Sequence, residues 1–378
     1  MSKSSPDIAF FLRCLYGGGA ERAMLNLARS FLEQELSVDM VVAKAEGSLI
    51  GQLPPGIRLI DLKAQSKLSI LPKLVEYLQQ ERPASLLAAL HYPCEIALLA
   101  KRIAGVSTRI VVSEQNHLSQ EAKRIPQLSV RLTPLAARFF YPWADGIAAV
   151  SQGVAEDLAN VTHLPMERIN LIYNPVVTPE VFVKAKEPVN HPWFQPGEAP
   201  VILAVGRLYA QKDYPTLIRA FAQVRRVHCS RLVILGEGPE GASLNTLIRE
   251  LGLEEDVAML GFTNNPYAYM ANASIFVLSS AYEGLPTVLI EAMAVGTPVV
   301  STNCPSGPAE ILANGKYGDL TPVGEPKALA EAILNVLSGN TKQVDSNWLQ
   351  QFTLEACAEK YLNVLDIPKK ALASKTLA

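Results

Sequence analysis

The stretch VILAVGRLYAQKDYPTLIRAFAQVRR, Val201 to Arg226, holds one complete strand–loop–helix step. VILAVG is a continuous apolar run, the pattern of a strand covered on both faces. PTLIRAFAQVRR places Leu217, Ile218, Phe221 and Val224 on one helical stripe, and Pro215 suits a first helical turn. The loop between them carries two cations, Arg207 and Lys212, with no acid separating them.

The same alternation extends in both directions. Upstream the strand candidates are IAFFL, VDMVVA, IRLIDL, SLLAAL, RIVVSE, GIAAVS and INLIYN; downstream they are RLVILG, VAMLG, SIFVLSS, TPVVST and GDLTPV. Amphipathic segments separate them, among them ALAEAILNVLSG with Leu329, Ile333 and Val336 on one side and Gly339 as its stop. Strand–helix alternation of this kind implies parallel sheets. The expected fold class is α/β, with two doubly wound Rossmann-like domains facing across a cleft.

A chain of 378 residues is long for a single core, so two domains are expected. The pattern changes between Tyr173 and Pro200, where proline is frequent and helical period is poor. The linker is placed near Asn174–Val183. The N-terminal domain is expected over 1–176, joined by a C-terminal helix within 355–378, and the C-terminal domain over 184–354.

Composition narrows the functional classes. Hydrophobic residues make up 49% and charged residues 19%, and the net charge is −2, so nothing global points to nucleic acid. The five cysteines are odd in number and form no CxxC pair, which argues against a disulfide framework or a zinc site. No HExxH occurs, and neither a metal nor a cofactor is expected. IAFFL runs straight into Arg13 and a glycine turn, so it reads as a first strand and not as an export signal. No apolar run reaches the ~18–20 residues that span a bilayer. The expected location is the cytoplasm, in solution or at the inner face of a membrane.

In doubly wound sheets ligands bind beyond the carboxyl ends of strands. Four strand-to-helix turns carry chemistry there. YGGGAERAM, Tyr16 to Met24, offers glycine amides near a helix start, an arrangement that suits an anion or a plain tight turn. In GRLYAQKDY, Arg207 supplies a planar fork and Lys212 a compact charge, a pair that suits a diphosphate; the plainer alternative is a solvated loop. ILGEGPEGASL puts Glu237 among Gly236, Gly238 and Gly241, and GFTNN puts Gly261 and Phe262 where backbone could meet a flat base. YEGLPTVLIEAM places Glu283 in a loop, Gly284–Leu285–Pro286 in the turn and Glu291 on the second turn of an apolar helix. A carboxylate so flanked is costly to bury without partners, and ribose hydroxyls would satisfy it. The alternative is a helix cap at Glu283 and a local base beside Glu291.

Taken in order, GGGAE, GRLYAQKDY, GEGP, the Glu283–Glu291 element and TPVVSTNCPSGPAEIL resemble the family 4 retaining glycosyltransferases of the GT-B fold, over nearly the whole chain. SGPAEI with SEQN resembles members that add galactose-type or N-acetylhexosamine units. The resemblance implies transfer of a hexosyl or N-acetylhexosaminyl unit from a nucleotide diphosphate sugar, UDP-linked, to a hydroxyl of a glycan or lipid-linked acceptor in polysaccharide or glycoconjugate synthesis. Anomeric configuration would be kept without a metal. It implies that Arg207 and Lys212 hold the donor diphosphate, Glu291 the ribose, and Glu283 the donor sugar. Gly284, Leu285 and the neighbours of Pro286 would help place sugar and phosphate, and Gly18 and Gly19 would lie under the diphosphate. The residue beneath the reacting sugar would come from RIVVSEQNHL, where Glu114, Gln115 and His117 are candidates. His91 and Glu21 are candidates for the acceptor side.

A further segment, EAKRIPQLSVRLTPLAARFFYPWADG, sets Lys123, Arg124, Arg131 and Arg138 beside Phe139, Phe140, Tyr141 and Trp143. It suits an anionic membrane surface, or else a helix with a core aromatic face and solvated charges. Three other classes stay open: a nucleotide-sugar epimerase on the same fold, a non-catalytic partner that binds nucleotide sugar, and an NAD-dependent dehydrogenase. The last lacks a first-strand GxGxxG.

Overall fold

The computed structural model describes residues 5–368, apart from the side chains of Lys67 and His91. All thirteen strands expected from the apolar runs form. They are β1 (Ile8–Leu12), β2 (Val38–Val42), β3 (Arg58–Asp61), β4 (Ser85–Ala89), β5 (Arg109–Glu114), β6 (Gly146–Ala149) and β7 (Ile169–Leu171), then β8 (Val201–Val205), β9 (Arg231–Leu235), β10 (Val257–Gly261), β11 (Ile275–Leu278), β12 (Val299–Thr302) and β13 (Asp319–Thr321). A seven-stranded sheet runs β3-β2-β1-β4-β5-β6-β7 and a six-stranded sheet runs β10-β9-β8-β11-β12-β13. Neighbouring strands are parallel, as β1 with β2 and β4, and β8 with β9 and β11, illustrate. In each sheet the chain order reverses beside the first strand, between β1 and β4 and between β8 and β11, and such switch points open crevices at the carboxyl edge.

In the first unit the helices are α1 (Gly19–Glu33), α2 (Lys67–Glu81), α3 (His91–Ala104), α4 (Leu118–Arg124), α5 (Leu128–Arg131), α6 (Thr133–Phe140) and α7 (Gln152–Thr162). The second holds α8 (Pro179–Ala185), α9 (Tyr214–Val227), α10 (Gly241–Glu250), α11 (Pro266–Asn272), α12 (Thr287–Ala294), α13 (Pro308–Ile311), α14 (Pro326–Leu337) and α15 (Ser346–Leu349), and α16 (Leu354–Leu365) follows. The stripe read from the opening stretch is the buried face of α9: Leu217, Ile218, Phe221 and Val224 are fully enclosed. Burial of that kind is worth about 1.5–3 kcal/mol per side chain. Asp213 caps α9 by accepting from the Thr216 amide at 3.4 Å, and Pro215 lies in its first turn. Leu329, Ile333 and Val336 of α14 join the same core.

The chain divides into two compact units, one taking residues up to Pro175 and again from Phe352, the other Val176–Gln351. The second unit thus begins at Val176 and not at 184, because Thr178 and Pro179 start α8 inside the segment read as a linker. α16 belongs to the first unit. Its Tyr361 hydroxyl meets Ser113 Oγ at 2.9 Å, Ser85 Oγ donates to Leu365 O at 2.7 Å, and Arg109 Nε donates to Val364 O at 2.9 Å. The helix ends at Leu365 with Asp366 in the left-handed region, and the part of the expected 355–378 helix beyond 368 lies outside the described residues.

Candidate functional site

The switch point between β8 and β11 gathers the chemistry of the second unit. After β8 the chain turns through Gly206 to Asp213 into α9. A Cβ at Gly206 would lie 3.1 Å from both Lys212 Cε and Tyr214 Oη, so glycine leaves room for the lysine to fold under its own loop. Lys212 Nζ lies 2.6 Å from Glu283 Oε1, and the two side chains are 16% and 7% exposed. Ser280 Oγ donates to the same oxygen at 2.6 Å. Gln211 Nε2 donates to Tyr282 O at 3.0 Å and to Glu283 Oε2 at 3.4 Å. The two loops are also joined by Ala281 N donating to Gln211 O (2.8 Å) and Ser279 Oγ donating to Lys212 O (2.7 Å). Burial and the nearby Glu283 carboxylate push the Tyr214 phenol and the Cys304 thiol well above their ordinary values, so both stay neutral and inert. The loop that showed two cations and no acid therefore has its acid supplied from 71 residues away.

Beside this cluster the next two loops form a rigid backbone platform. Gly236 has φ +143, and a Cβ there would meet Gly206 O at 2.0 Å. A Cβ on Gly238 would meet Leu208 O at 2.4 Å. The close approach is held by Gly206 N donating to Leu235 O (2.9 Å), Leu208 N to Glu237 O (2.8 Å) and Gly236 N to Gly261 O (2.8 Å). Glu237 Oε1 accepts from the Phe262 amide at 3.4 Å, and the Phe262 side chain stands 55% exposed. Arg207 is exposed at the crest of its loop, its guanidinium 5.2 Å above the Tyr209 ring, with no acidic partner among the described residues.

The turn before α12 is fixed from the β12 side. Glu283 N donates to Pro305 O at 3.1 Å. Gly307 has φ +95, and a Cβ on it would fall 2.4 Å from Pro286 Cδ, so only glycine lets the NCPSGP loop press against Gly284, Leu285 and Pro286. Pro286 occupies the N-cap of α12 without a side-chain cap, which removes the helix-cap reading of Glu283. Glu291 is 8% exposed on the second turn.

In the first unit the glycine turn after β1 is already occupied. Glu21 Oε2 accepts from the amides of Gly17 (2.8 Å) and Gly18 (2.7 Å), while Gly19 begins α1. The Gly18 amide that was expected to face an anion is thus taken by the chain's own carboxylate. His91 begins α3; its side chain lies outside the described residues. Next to it, Tyr92 and Glu95 face Ser129, Leu132, Thr133 and Ala136 across an open cleft of about 110 Å³.

Of the three candidates at the end of β5, Glu114, the strand's last residue, is fully buried. Its Oε1 accepts from the amides of Gln115 (3.0 Å) and Asn116 (3.1 Å), and its Oε2 from the Tyr141 hydroxyl (2.7 Å). Burial pushes its carboxyl up to about 8. Enclosed in this way, its carboxyl is bonded to the loop that carries its neighbours and does not face the surface. Gln115 is also enclosed, donating to Ser113 Oγ and accepting from Asn174 Nδ2, both at 2.8 Å. His117 is the candidate that reaches the surface, 14% exposed, with Nδ1 3.0 Å from Asp157 Oδ2. Burial alone would raise the Asp157 carboxyl, but the adjacent His117 ring and the hydrogen bonds of Ser119 outweigh it and hold it below its ordinary value.

Gln211, Ser279, Ser280 and Asp157 were not singled out in the sequence, and Tyr141 only as one aromatic of the basic segment before β6. Ser279 and Ser280 end the SIFVLSS run, and a polar pair closing an apolar strand was the available signal. Asp157 and Tyr141 act across 38 and 27 positions, and no local pattern announces them. Among the described residues no three His, Cys, Asp or Glu side chains cluster as a metal site, and no helix is long and apolar enough to cross a membrane.

Comparison with known proteins matches both halves of the chain. Residues 17–179 match the family described as Glycosyltransferase Family 4, and residues 187–348 match Glycosyl transferases group 1. A Campylobacter jejuni protein named N-acetylgalactosamine-N,N'-diacetylbacillosaminyl-diphospho-undecaprenol 4-alpha-N-acetylgalactosaminyltransferase is 34% identical over 252 residues, covering 66% of this chain and 65% of that one. The Escherichia coli lipopolysaccharide 1,6-galactosyltransferase is 24% identical over 345 residues, 88% of this chain and 89% of its own. The match spans about half the length of other curated relatives, such as LpsE of Rhizobium meliloti (51%). Among solved structures, Anabaena HepE in complex with UDP-glucose superposes with a TM-score of 0.77 at 22% identity, covering 95% of this chain and 99% of that one.

Proposed function

The chain belongs to the family 4 glycosyltransferases of the GT-B fold, and from that premise we propose that it moves a hexosyl or N-acetylhexosaminyl unit from a nucleotide diphosphate sugar, UDP-linked, to a hydroxyl of a lipid-linked or polysaccharide acceptor, keeping the anomeric configuration and needing no metal. The observation that carries this reading is the Lys212–Glu283–Ser280 cluster at the switch point of the second sheet. The acceptor class is supported by the names of the relatives, one of which acts on a diphospho-undecaprenol glycan and another on lipopolysaccharide.

In this reading the donor diphosphate lies over the Gly206–Lys212 loop. Arg207 meets it with a planar fork, and Lys212 exchanges Glu283 Oε1 for a phosphate oxygen. That exchange releases Glu283, still held by Ser280 and Gln211, to accept hydrogen bonds from the donor sugar. Glu291 takes the ribose hydroxyls, and the Gly261–Phe262 edge meets the base. As the glycosidic bond breaks, negative charge grows on the leaving diphosphate, where prearranged cations stabilise it. The acceptor hydroxyl attacks from the same face and passes its proton to the leaving phosphate oxygen, so no covalent sugar–enzyme intermediate forms. The cleft beside the start of α3 is the proposed acceptor pocket, with His117 as the side chain of the β5 loop that reaches the reacting sugar.

The test is a panel of UDP-sugars with a short lipid-linked glycan acceptor, reading UDP release and the anomeric coupling of the product by NMR. An α-linked product from an α-linked donor, unchanged by a chelator, supports the reading. A β-linked product sinks retention, and loss of turnover on chelation sinks metal independence. A changed sugar released without acceptor makes the protein an epimerase, and tight donor binding with no turnover makes it a non-catalytic partner.

A further inference from the structure

Tyr209 stands between the two cations of the loop that joins β8 to α9, and the transfer chemistry above gives it no part. The backbone around it is fixed. Leu208 is buried, its amide donates to Glu237 O at 2.8 Å, and its carbonyl accepts from the Glu240 amide at 3.1 Å. On the other side Lys212 N donates to Tyr209 O at 2.8 Å and closes the 3-10 turn Ala210–Lys212. The side chain, in contrast, stands outside the core: Tyr209 is 47% exposed and Leu208 4%. The Tyr209 hydroxyl makes no hydrogen bond to the described residues, so what the ring offers is its face.

Arg207 takes that face. Tyr209 N donates to Arg207 O at 2.9 Å, a tight turn that brings the two side chains together, and the guanidinium carbon lies over the ring, 5.2 Å from its centroid. A cation within ~6 Å of a ring centroid is attracted by the negative face of the ring. The kind of partner matters. Lys212 is held by the Glu283 carboxylate, which competes with any anion that approaches. The ring attracts Arg207 without using its N–H groups, and Arg207 donates no side-chain hydrogen bond to the described residues. The arginine is therefore restrained while its fork stays open to a phosphate. A long exposed side chain loses rotamer freedom when it grips a ligand, and restraint in the free protein removes part of that cost. We propose that Tyr209 is a positioning residue for Arg207: its ring holds the guanidinium at the crest of the loop, where the fork meets the donor diphosphate. The inference rests on the phosphate role given to Arg207 above and adds the residue that sets the arginine's place.

Titration calorimetry of the whole chain with UDP tests it. Tyr209→Ala weakens binding about 2–5-fold, the equivalent of about 0.5–1 kcal/mol, which is what a cation–π contact contributes at an exposed site. Tyr209→Leu, which keeps bulk but has no ring face, weakens it equally. Tyr209→Phe keeps the face and rescues binding. In an Arg207→Ala background Tyr209→Ala weakens binding no further, because the arginine through which the ring acts is gone. Melting points match that of the wild type throughout, since both side chains lie outside the core. Binding by Tyr209→Ala at wild-type strength overturns the proposal. So does a loss shared by Tyr209→Phe, which assigns the part to the hydroxyl. A loss of the same size with and without Arg207 also overturns it, because the ring then meets the nucleotide directly. Wild-type protein that binds no UDP removes the donor reading itself and this proposal with it, a failure distinct from the other three.

Discussion

Replacing Lys212 by alanine separates what the cluster does for folding from what it does for chemistry. The Lys212 and Glu283 side chains are 16% and 7% exposed and 2.6 Å apart. Without the ammonium, Glu283 keeps the Ser280 hydroxyl at 2.6 Å and a long contact with Gln211 at 3.4 Å. Removing one partner of a buried pair costs about 3–5 kcal/mol, since the other charge is left uncompensated. With two hydrogen bonds remaining, the low end applies, about 3 kcal/mol. The second unit spans Val176–Gln351, and in a domain of that size each kcal/mol moves the melting point by about 2–4 °C. Lys212→Ala should therefore lower the second unit's transition by about 6–12 °C in scanning calorimetry. Lys212→Met with Glu283→Gln removes both charges and should recover most of that loss, because a neutral pair leaves nothing stranded. Transfer should stay at least about 10²-fold down in both variants, since neither restores the charge facing the leaving group. A Lys212→Ala protein that melts with the wild type, or that turns over normally, refutes the reasoning.

Other substitutions probe the rest of the structure. Arg207→Ala, at an exposed side chain, should leave the melting point unchanged while cutting transfer about 10²-fold; a steady-state assay with wild-type turnover would count against its phosphate role. Glu291→Ala should chiefly weaken donor binding, read by calorimetric titration with the nucleotide sugar, and an unchanged affinity would remove the ribose contact. Gly236→Ala should destabilise by about 2 kcal/mol or more and abolish donor binding, because its Cβ must displace Gly206 O from 2.0 Å. Gly241→Ala, whose Cβ meets only Leu208 Cδ1 at 3.6 Å, should do neither. Glu114 holds its proton in the folded chain up to about 8, against an ordinary 4.5. Its contribution to stability is therefore full below that lower value and is lost as pH rises toward the upper one, since the unfolded chain releases a proton that the folded chain keeps. Glu114→Gln should flatten the fall in urea midpoint between pH 5 and 8, and an unaltered slope would assign that fall to other groups.

The fold was legible because each strand of a buried parallel sheet announces itself as an unbroken apolar run, and each helix facing it carries a stripe. IAFFL and VILAVG needed no tertiary information to be read. The site was legible as a set of positions, since strand ends and glycine turns fix where ligands meet such sheets. The pairings were not. Nothing local couples Lys212 to Glu283, which approach only when β8 and β11 become neighbours across the switch point. Likewise GGGAE reads as a free anion turn until Glu21 is seen bonded to its amides. Glu114, Gln115 and His117 are equivalent in one dimension; burial separates them, and burial here depends on Tyr141 and Asn174, residues from distant elements.

The return of α16 to the first sheet has a consequence for biosynthesis. The second unit is a contiguous insertion, so it can close as soon as its own last strand and helices have left the ribosome. The first unit cannot. Its core counts Ala358, Tyr361, Leu362 and Leu365 among its members, and it must wait, with that groove open, until the whole second unit and then α16 have been translated. A nascent chain stalled before Phe352 would hold one finished lobe and one unfinished, and chaperones should engage the unfinished lobe, made first and completed last.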